Sequence, residues 1–173
     1  DPTLVVTIVD TTDEPVDPDP DFSLTLNNSY DGAIQTNTIT NNISLTHQGG
    51  ADIDLAKLSL RYYYTKEGTA SEGFSCDHAS MQLNQEPWYA PYTDVVEGNF
   101  VSMTNPKTNA SHYLEITFDT RDIFVEGSTL SFNTRMYKND WSNYDQSNDY
   151  SFGDTSRINV YYDNELVLGI EPK

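Results

Sequence analysis

The stretch Lys138 to Phe152, KNDWSNYDQSNDYSF, sets Trp141 among Asp140, Asp145, Asp149, Asn139, Asn143, Asn148, Tyr144 and Tyr150. It has no hydrophobic periodicity, so it cannot build a core. Its residue types suit two kinds of surface chemistry. An exposed indole can stack on another flat ring, and clustered side-chain oxygens can hold a hard cation. Just upstream, Thr129–Tyr137 alternates. Leu130, Phe132, Thr134 and Met136 take one face, which must be the core, and Ser131, Asn133, Arg135 and Tyr137 take the other. Asn133 and Arg135 therefore lie side by side on an outer face, about 6–7 Å apart from the strand rise. Taken alone, that pattern is also what any solvated strand face would show.

Charge restricts the partners. The chain has 173 residues with 9 basic against 27 acidic side chains, a net charge of −18. Such a chain repels phosphate backbones and anionic lipid, which excludes nucleic acid and a membrane surface as partners. A neutral polymer is indifferent to that charge. The acidity suits solubility outside the cell, with a high-salt setting as a second reading. Cys76 is the single cysteine, so no internal disulfide is possible. Nothing beside it marks an activated thiol, and it reads as a small buried hydrophobe. No apolar run is long enough to span a bilayer. The chain opens on Asp1-Pro2 without a signal peptide, and is expected to be an excised piece of a longer secreted protein.

Two regions are expected. Residues 1–20 hold a β-branched run, Thr3 to Val9, then TTDEPVDPDP at Thr11 to Pro20, which reads as a stiff acidic extension or linker. Residues 21–173 form the domain proper. Its candidate strands are Phe22–Leu26, Thr38–Thr46, Leu58–Thr65, Phe100–Met103, Tyr113–Phe118, Thr129–Tyr137, Ile158–Tyr162 and Leu166–Leu168. Asp163-Asn164 fits a tight hairpin. Ser80–Gly98 reads as a long loop, and Trp88, Tyr89 and Tyr92 within it argue for order. No segment has a convincing helical period. Many short strands between polar turns predict an all-β, antiparallel sandwich.

Four segments carry a resemblance: KNDWSNYDQSNDYSF, FSCDHA at Phe74–Ala79, RYYYT at Arg61–Thr65, and Val167 to Pro172. Together, in nearly gapless register from about Phe22 to Pro172, they resemble the family 3 carbohydrate-binding modules. These are the cellulose-binding modules of bacterial cellulases and cellulosome scaffold proteins. The resemblance implies a jelly-roll sandwich, secreted by a bacterium. It also implies non-catalytic binding of crystalline cellulose or a related plant cell-wall polysaccharide, on behalf of covalently linked neighbouring domains. The family lays a flat row of side chains along one glucan chain. The matching residues here are Asp77, His78, Arg135 and Trp141, with Trp88 first and Tyr89 second for the remaining aromatic. Rings stack on the C–H faces of the sugar, and an ion-paired Asp–Arg presents a similar flat surface. Polar anchors that reach neighbouring chains match Asp31, Asn37, Asn133 and Ser156. A calcium site matches Thr65, Glu67, Asp145, Asn148 and Asp149. Ca²⁺ takes six to eight oxygens, which this set can supply. Glu67 stands where the family has Asp, and Asp145 where it has Thr. Without a cation, Glu67, Asp145 and Asp149 would repel one another.

The sequence also departs from the family at Ser75 and Leu168, where Trp is common, and both are expected off the strip. The sequons at Asn27, Asn42 and Asn109 are of a kind common by chance. His47 and His112 have no metal-ligand spacing. No segment suggests a groove with two facing carboxylates, so a glycoside hydrolase is not expected. The competing reading is an accessory or linker-docking module that does not hold crystalline cellulose.

Overall fold

The computed structural model describes residues 21–173. The expectations for Thr3–Val9 and for the extension over residues 1–20 lie outside those residues. In chain order the strands are β1 (Phe22–Tyr30), β2 (Gln35–Thr36), β3 (Thr38–Gly50), β4 (Ile53–Asp54), β5 (Leu58–Tyr64), β6 (Glu72–Gln82), β7 (Tyr89–Pro91), β8 (Val96–Lys107), β9 (Ala110–Phe118), β10 (Ile123–Phe124), β11 (Thr129–Lys138), β12 (Tyr144–Asp145), β13 (Asn159–Tyr162) and β14 (Glu165–Leu168). Helical structure among the described residues is confined to four three-residue 3₁₀ turns, and no helix is long and apolar enough to cross a membrane.

Two five-stranded sheets face each other. One runs β1-β3-β11-β6-β7 and the other β14-β13-β5-β9-β8, with antiparallel pairing throughout. The expected sandwich is present, in the jelly-roll arrangement. Period-2 alternation decides which side chains meet between the sheets. From the first come Leu24, Ile39, Ile43, Leu45, Ala79, Met81, Leu130, Phe132 and Met136. From the second come Leu58, Leu60, Tyr62, Tyr64, Leu114, Ile116, Phe118 and Val160. Phe132 meets Phe118 edge-on across the gap, with ring centroids 5.5 Å apart. A full set of such buried side chains, each worth about 1.5–3 kcal/mol on burial, leaves the outer faces free for other work.

The last hairpin forms as its sequence suggests. Asp163 and Asn164 both take positive φ, 50° and 68°, the backbone of a two-residue type I′ turn. The expected loop over Ser80–Gly98 is corrected. Strand β6 continues to Gln82, β7 pairs back on it, and β8 begins at Val96. Strand β6 shows no clean alternation in EGFSCDHASMQ, because its register slips midway. That slip builds the site.

Candidate polysaccharide-binding face

Strands β11 and β6 pair with Asn133 opposite His78, yet Thr134 lies opposite Cys76. Asp77 is thus an extra residue on β6, a β-bulge. In an unbroken strand Asp77 and His78 would point to opposite faces. With the bulge both are exposed in succession, while Cys76 packs against the core and Ala79 is fully buried. Burial also pushes the Cys76 thiol up, in keeping with an inert packing residue.

Across from the bulge, Arg135 projects outward from β11. Its Nε donates to Asp77 Oδ2 at 2.7 Å and its Nη2 to Oδ1 at 2.8 Å. This two-pronged contact holds guanidinium and carboxylate in one plane. Both side chains stay close to half exposed. The Arg135 hydrogen bonds hold the Asp77 carboxyl below the usual carboxylate range, and Asp77 in turn raises Arg135. Exposed ion pairs are typically worth about 0–1 kcal/mol, so folding alone gives little reason for this one. Ser75, expected off the strip, is Arg135's cross-strand partner on the same face.

Trp141 lies in the turn that follows β11. Its N–H donates to Lys138 O at 2.9 Å, and its φ is +60°, strained for a bulky side chain. Asp140 Oδ1 accepts from the Ser142 N–H and hydroxyl, and the buried Lys138 Nζ donates to Asn143 O. The turn is therefore fastened from both sides. The indole is 61% exposed and stacks on Tyr137, with centroids 5.4 Å apart and planes 15° from parallel. Tyr137 in turn lies over Gly73, its cross-strand partner. A Cβ at Gly73 would come 2.5 Å from the ring. Tyr137 and Gly73 were not singled out from the sequence. The outward position of Tyr137, four residues before Trp141, was the signal. Gly73→Ala should lift Tyr137 and with it Trp141, lowering affinity for cellulose by roughly fivefold, the equivalent of about 1 kcal/mol for a disturbed aromatic pair. Depletion isotherms on insoluble cellulose would measure it, and an unchanged isotherm would show that the tyrosine does not set the indole.

At the other end, β7 pairs with β6 so that Tyr89 lies opposite Gln82, which itself lies opposite Thr129. Tyr89 shares the outward face and is 48% exposed. Trp88 occupies the turn before it, 59% exposed at φ +64°, its N–H on Gln85 O. Neither ring is core, and the register favours Tyr89, the second choice from sequence, for the strip itself. Ordered by register, the outward residues are Tyr89 level with Thr129, His78 with Asn133, the Asp77–Arg135 pair, then Tyr137 under Trp141. From Thr129 to Tyr137 that row spans roughly 26 Å by strand rise.

The expected anchors are distributed around it. Asn133 is exposed between His78 and Asn42. Asp31 follows β1 and donates its N–H to Thr40 Oγ1 at 3.3 Å, while Asn37 precedes β3 and accepts from Thr38. Ser156 lies in the 3₁₀ turn Thr155–Arg157, which packs on β1, and its hydroxyl donates to Asp154.

The second constellation converges from two loops. Thr65 donates its N–H to Asp149 Oδ1 at 2.8 Å and its hydroxyl to Asn148 O at 2.8 Å. Asp149 Oδ2, Asn148 Oδ1 and both carboxylate oxygens of Glu67 are buried without a hydrogen-bond partner. Buried carboxylate oxygens without partners are costly, and a cation is what such oxygens can hold. Burial is the main cause that pushes Asp149 up to about 8, with the Glu67 and Asp145 charges adding to it. Asp145 turns Oδ1 to the Ser147 N–H and hydroxyl, so it acts here chiefly through its charge. Among the described residues no three His, Cys, Asp or Glu side chains cluster as a metal site. Three of the four unpartnered oxygens belong to carboxylates and the fourth to an amide, a hard all-oxygen set that suits Ca²⁺ rather than a softer metal.

The chain matches the Cellulose binding domain family over residues 23–169. It is 42% identical over 143 residues to Cellulosomal-scaffolding protein A of Acetivibrio thermocellus, covering 79% of this chain and 8% of that protein. It is 35% identical to Exoglucanase-2 of Thermoclostridium stercorarium, covering 99% of this chain and 19% of that protein. The chain thus spans only a small part of these relatives. Among solved structures, the CBM3a-L domain with flanking linkers from scaffoldin cipA of the Clostridium thermocellum cellulosome superposes with a TM-score of 0.80 at 38% identity, covering 89% of this chain and 92% of that one. A match over most of the chain, in sequence and in fold, means that this protein belongs to the family 3 carbohydrate-binding modules, the cellulose binding domains.

Proposed function

We propose that the row from Tyr89 to Trp141 is the surface that grips the flat face of crystalline cellulose. Membership of the family makes the chain a non-catalytic cellulose-binding module. The observation that carries the finer reading is the coplanar Asp77–Arg135 pair in line with the exposed, Tyr137-stacked Trp141. A preformed flat row loses little side-chain freedom on binding, so stacking and hydroxyl contacts are offset by little ordering. The module would act outside the cell and hold a larger, multidomain protein to plant cell wall. We further propose a structural calcium ion held by Glu67, Asn148 and Asp149, with Thr65 and Asp145 closing the site. The support is the group of buried oxygens without partners. The ion would supply the positive charge those oxygens lack and tie the Thr65–Glu67 loop to the Asp145–Asp149 loop.

The binding proposal is tested by pull-down on microcrystalline cellulose, with insoluble xylan and chitin as competitors. Retention on cellulose alone is expected. A protein left in the supernatant would favour the accessory or linker-docking reading.

A further inference from the structure

Of the nine glycines in the chain, only Gly32 follows an aspartate or an asparagine. The pair Asp31-Gly32 opens the short stretch between β1 and β2, and residues 31–35 are all exposed. The Ala33 N–H donates to Asp31 Oδ1 at 3.1 Å, so the carboxyl group folds forward over the Gly32 peptide. Asp54, Asp140, Asp145 and Asp154 fold forward in the same way, each onto the N–H two residues on. Each of those four is followed by a residue with a side chain, Leu55, Trp141, Gln146 or Thr155. Gly32 has none, and a Cβ there would meet nothing within 4 Å. No backbone carbonyl among the described residues accepts the Gly32 N–H. The Gly32 nitrogen is thus free to approach the Asp31 carboxyl carbon.

We propose that Asp31-Gly32 is a site of spontaneous backbone isomerisation, at which the aspartate converts through a succinimide to isoaspartate. The Gly32 nitrogen attacks Cγ of Asp31. A Cγ–N bond forms, a Cγ–O bond breaks, and the amide proton leaves with the carboxyl OH as water. Water then adds to the ring carbonyl at Cα, and the original peptide C–N bond breaks. The chain now runs through the β-carbon, and the α-carboxylate hangs free. Atoms balance with water as the only co-reactant, and nothing is oxidised or reduced. Glycine helps twice. It leaves the attacking nitrogen unhindered, and it takes the backbone angles that ring closure demands.

The consequence follows from what this stretch holds. Gln146 is buried, and its Nε2 donates to Ala33 O at 2.7 Å and to Asp31 O at 3.4 Å. Its N–H donates to Ile34 O at 2.7 Å. Just beyond, β2 pairs with β12, Gln35 opposite Asp145 and Thr36 opposite Tyr144. Isoaspartate adds one methylene to the main chain immediately before these contacts. It also turns the Asp31 carbonyl into a free carboxylate. The stretch is therefore displaced from Gln146, and a buried amide left short of a partner is costly.

The test is to age the full chain in warm neutral buffer and to locate isoaspartate by peptide mapping with enzymatic methylation of isoaspartyl groups. Isoaspartate is expected at position 31 and at no other aspartate among the described residues. Gly32→Ala, which the open space accommodates, should slow its formation roughly tenfold, the equivalent of about 1.4 kcal/mol of barrier. Asp31→Asn should age faster than the parent, because ammonia leaves this ring closure more readily than water does at neutral pH. Melting curves of the fresh variants establish that they are folded. The isomerised fraction, separated by chromatography, should melt about 2–4 °C below the intact protein, as for the loss of one hydrogen bond in a chain of this size. Absence of isoaspartate at position 31 of the native protein, or equal formation in Gly32→Ala, would overturn the site. An isomerised fraction that melts with the parent would overturn its tie to Gln146.

Discussion

Trp141→Ala is expected to lower affinity for microcrystalline cellulose by roughly 30-fold, the equivalent of about 2 kcal/mol for truncating an aromatic hot spot. The indole is 61% exposed and rests on Tyr137, outside the core. Truncation should therefore leave the melting temperature nearly unchanged, since alanine keeps the Cβ and with it the same positive φ. Arg135→Ala should weaken binding less, because Tyr89, His78 and Trp141 remain. Moderate salt should alter the parent's binding little, since the polymer is neutral and screening has no charge pair to weaken between them. Depletion isotherms with and without added salt, together with thermal melts, give all three readings. A Trp141→Ala isotherm that overlays the parent's would remove the proposed row.

Chelation should lower the melting temperature by about 5–10 °C when free calcium had been a hundredfold above its dissociation constant. Binding at that ratio stabilises by about 2.7 kcal/mol, and a chain of this size shifts about 2–4 °C per kcal/mol. The pH dependence has a definite sign. Without metal, Asp149 is pushed up to about 8, chiefly by burial, whereas in the unfolded chain it titrates near 3.9. The metal-free native state therefore holds a proton that the unfolded chain has released. Its stability from this group is fully present below about 4 and is lost as pH rises to about 8. Calcium needs the carboxylate bare, so its stabilisation should grow over the same interval. Melts at pH 5 and pH 8, with calcium and with chelator, should show the larger calcium effect at pH 8. Asp149→Asn isolates this group from the other acids, and should abolish both the chelator effect and its growth with pH. A chelator effect of equal size in Asp149→Asn would place any bound ion elsewhere.

The sequence by itself determined most of the architecture. Alternation in Thr129–Tyr137 assigned Leu130, Phe132, Thr134 and Met136 to the core and Arg135 to an outer face, because a strand has only two faces and apolar side chains take the dry one. The polar run after Lys138 required Trp141 to be exposed, since nothing around it could bury it. Sequence similarity to the family, not periodicity, brought Asp77, His78 and Glu67 into view. Tertiary structure decided what a period-2 reading cannot contain. A bulge at Asp77 inserts one residue into the register, and only then do Asp77 and His78 point the same way. Pairing of β7 with β6 chose the place of Tyr89, because cross-strand partners share a face. Gly73 makes room for Tyr137, and Tyr137 supports Trp141, a chain of contacts between residues more than sixty positions apart.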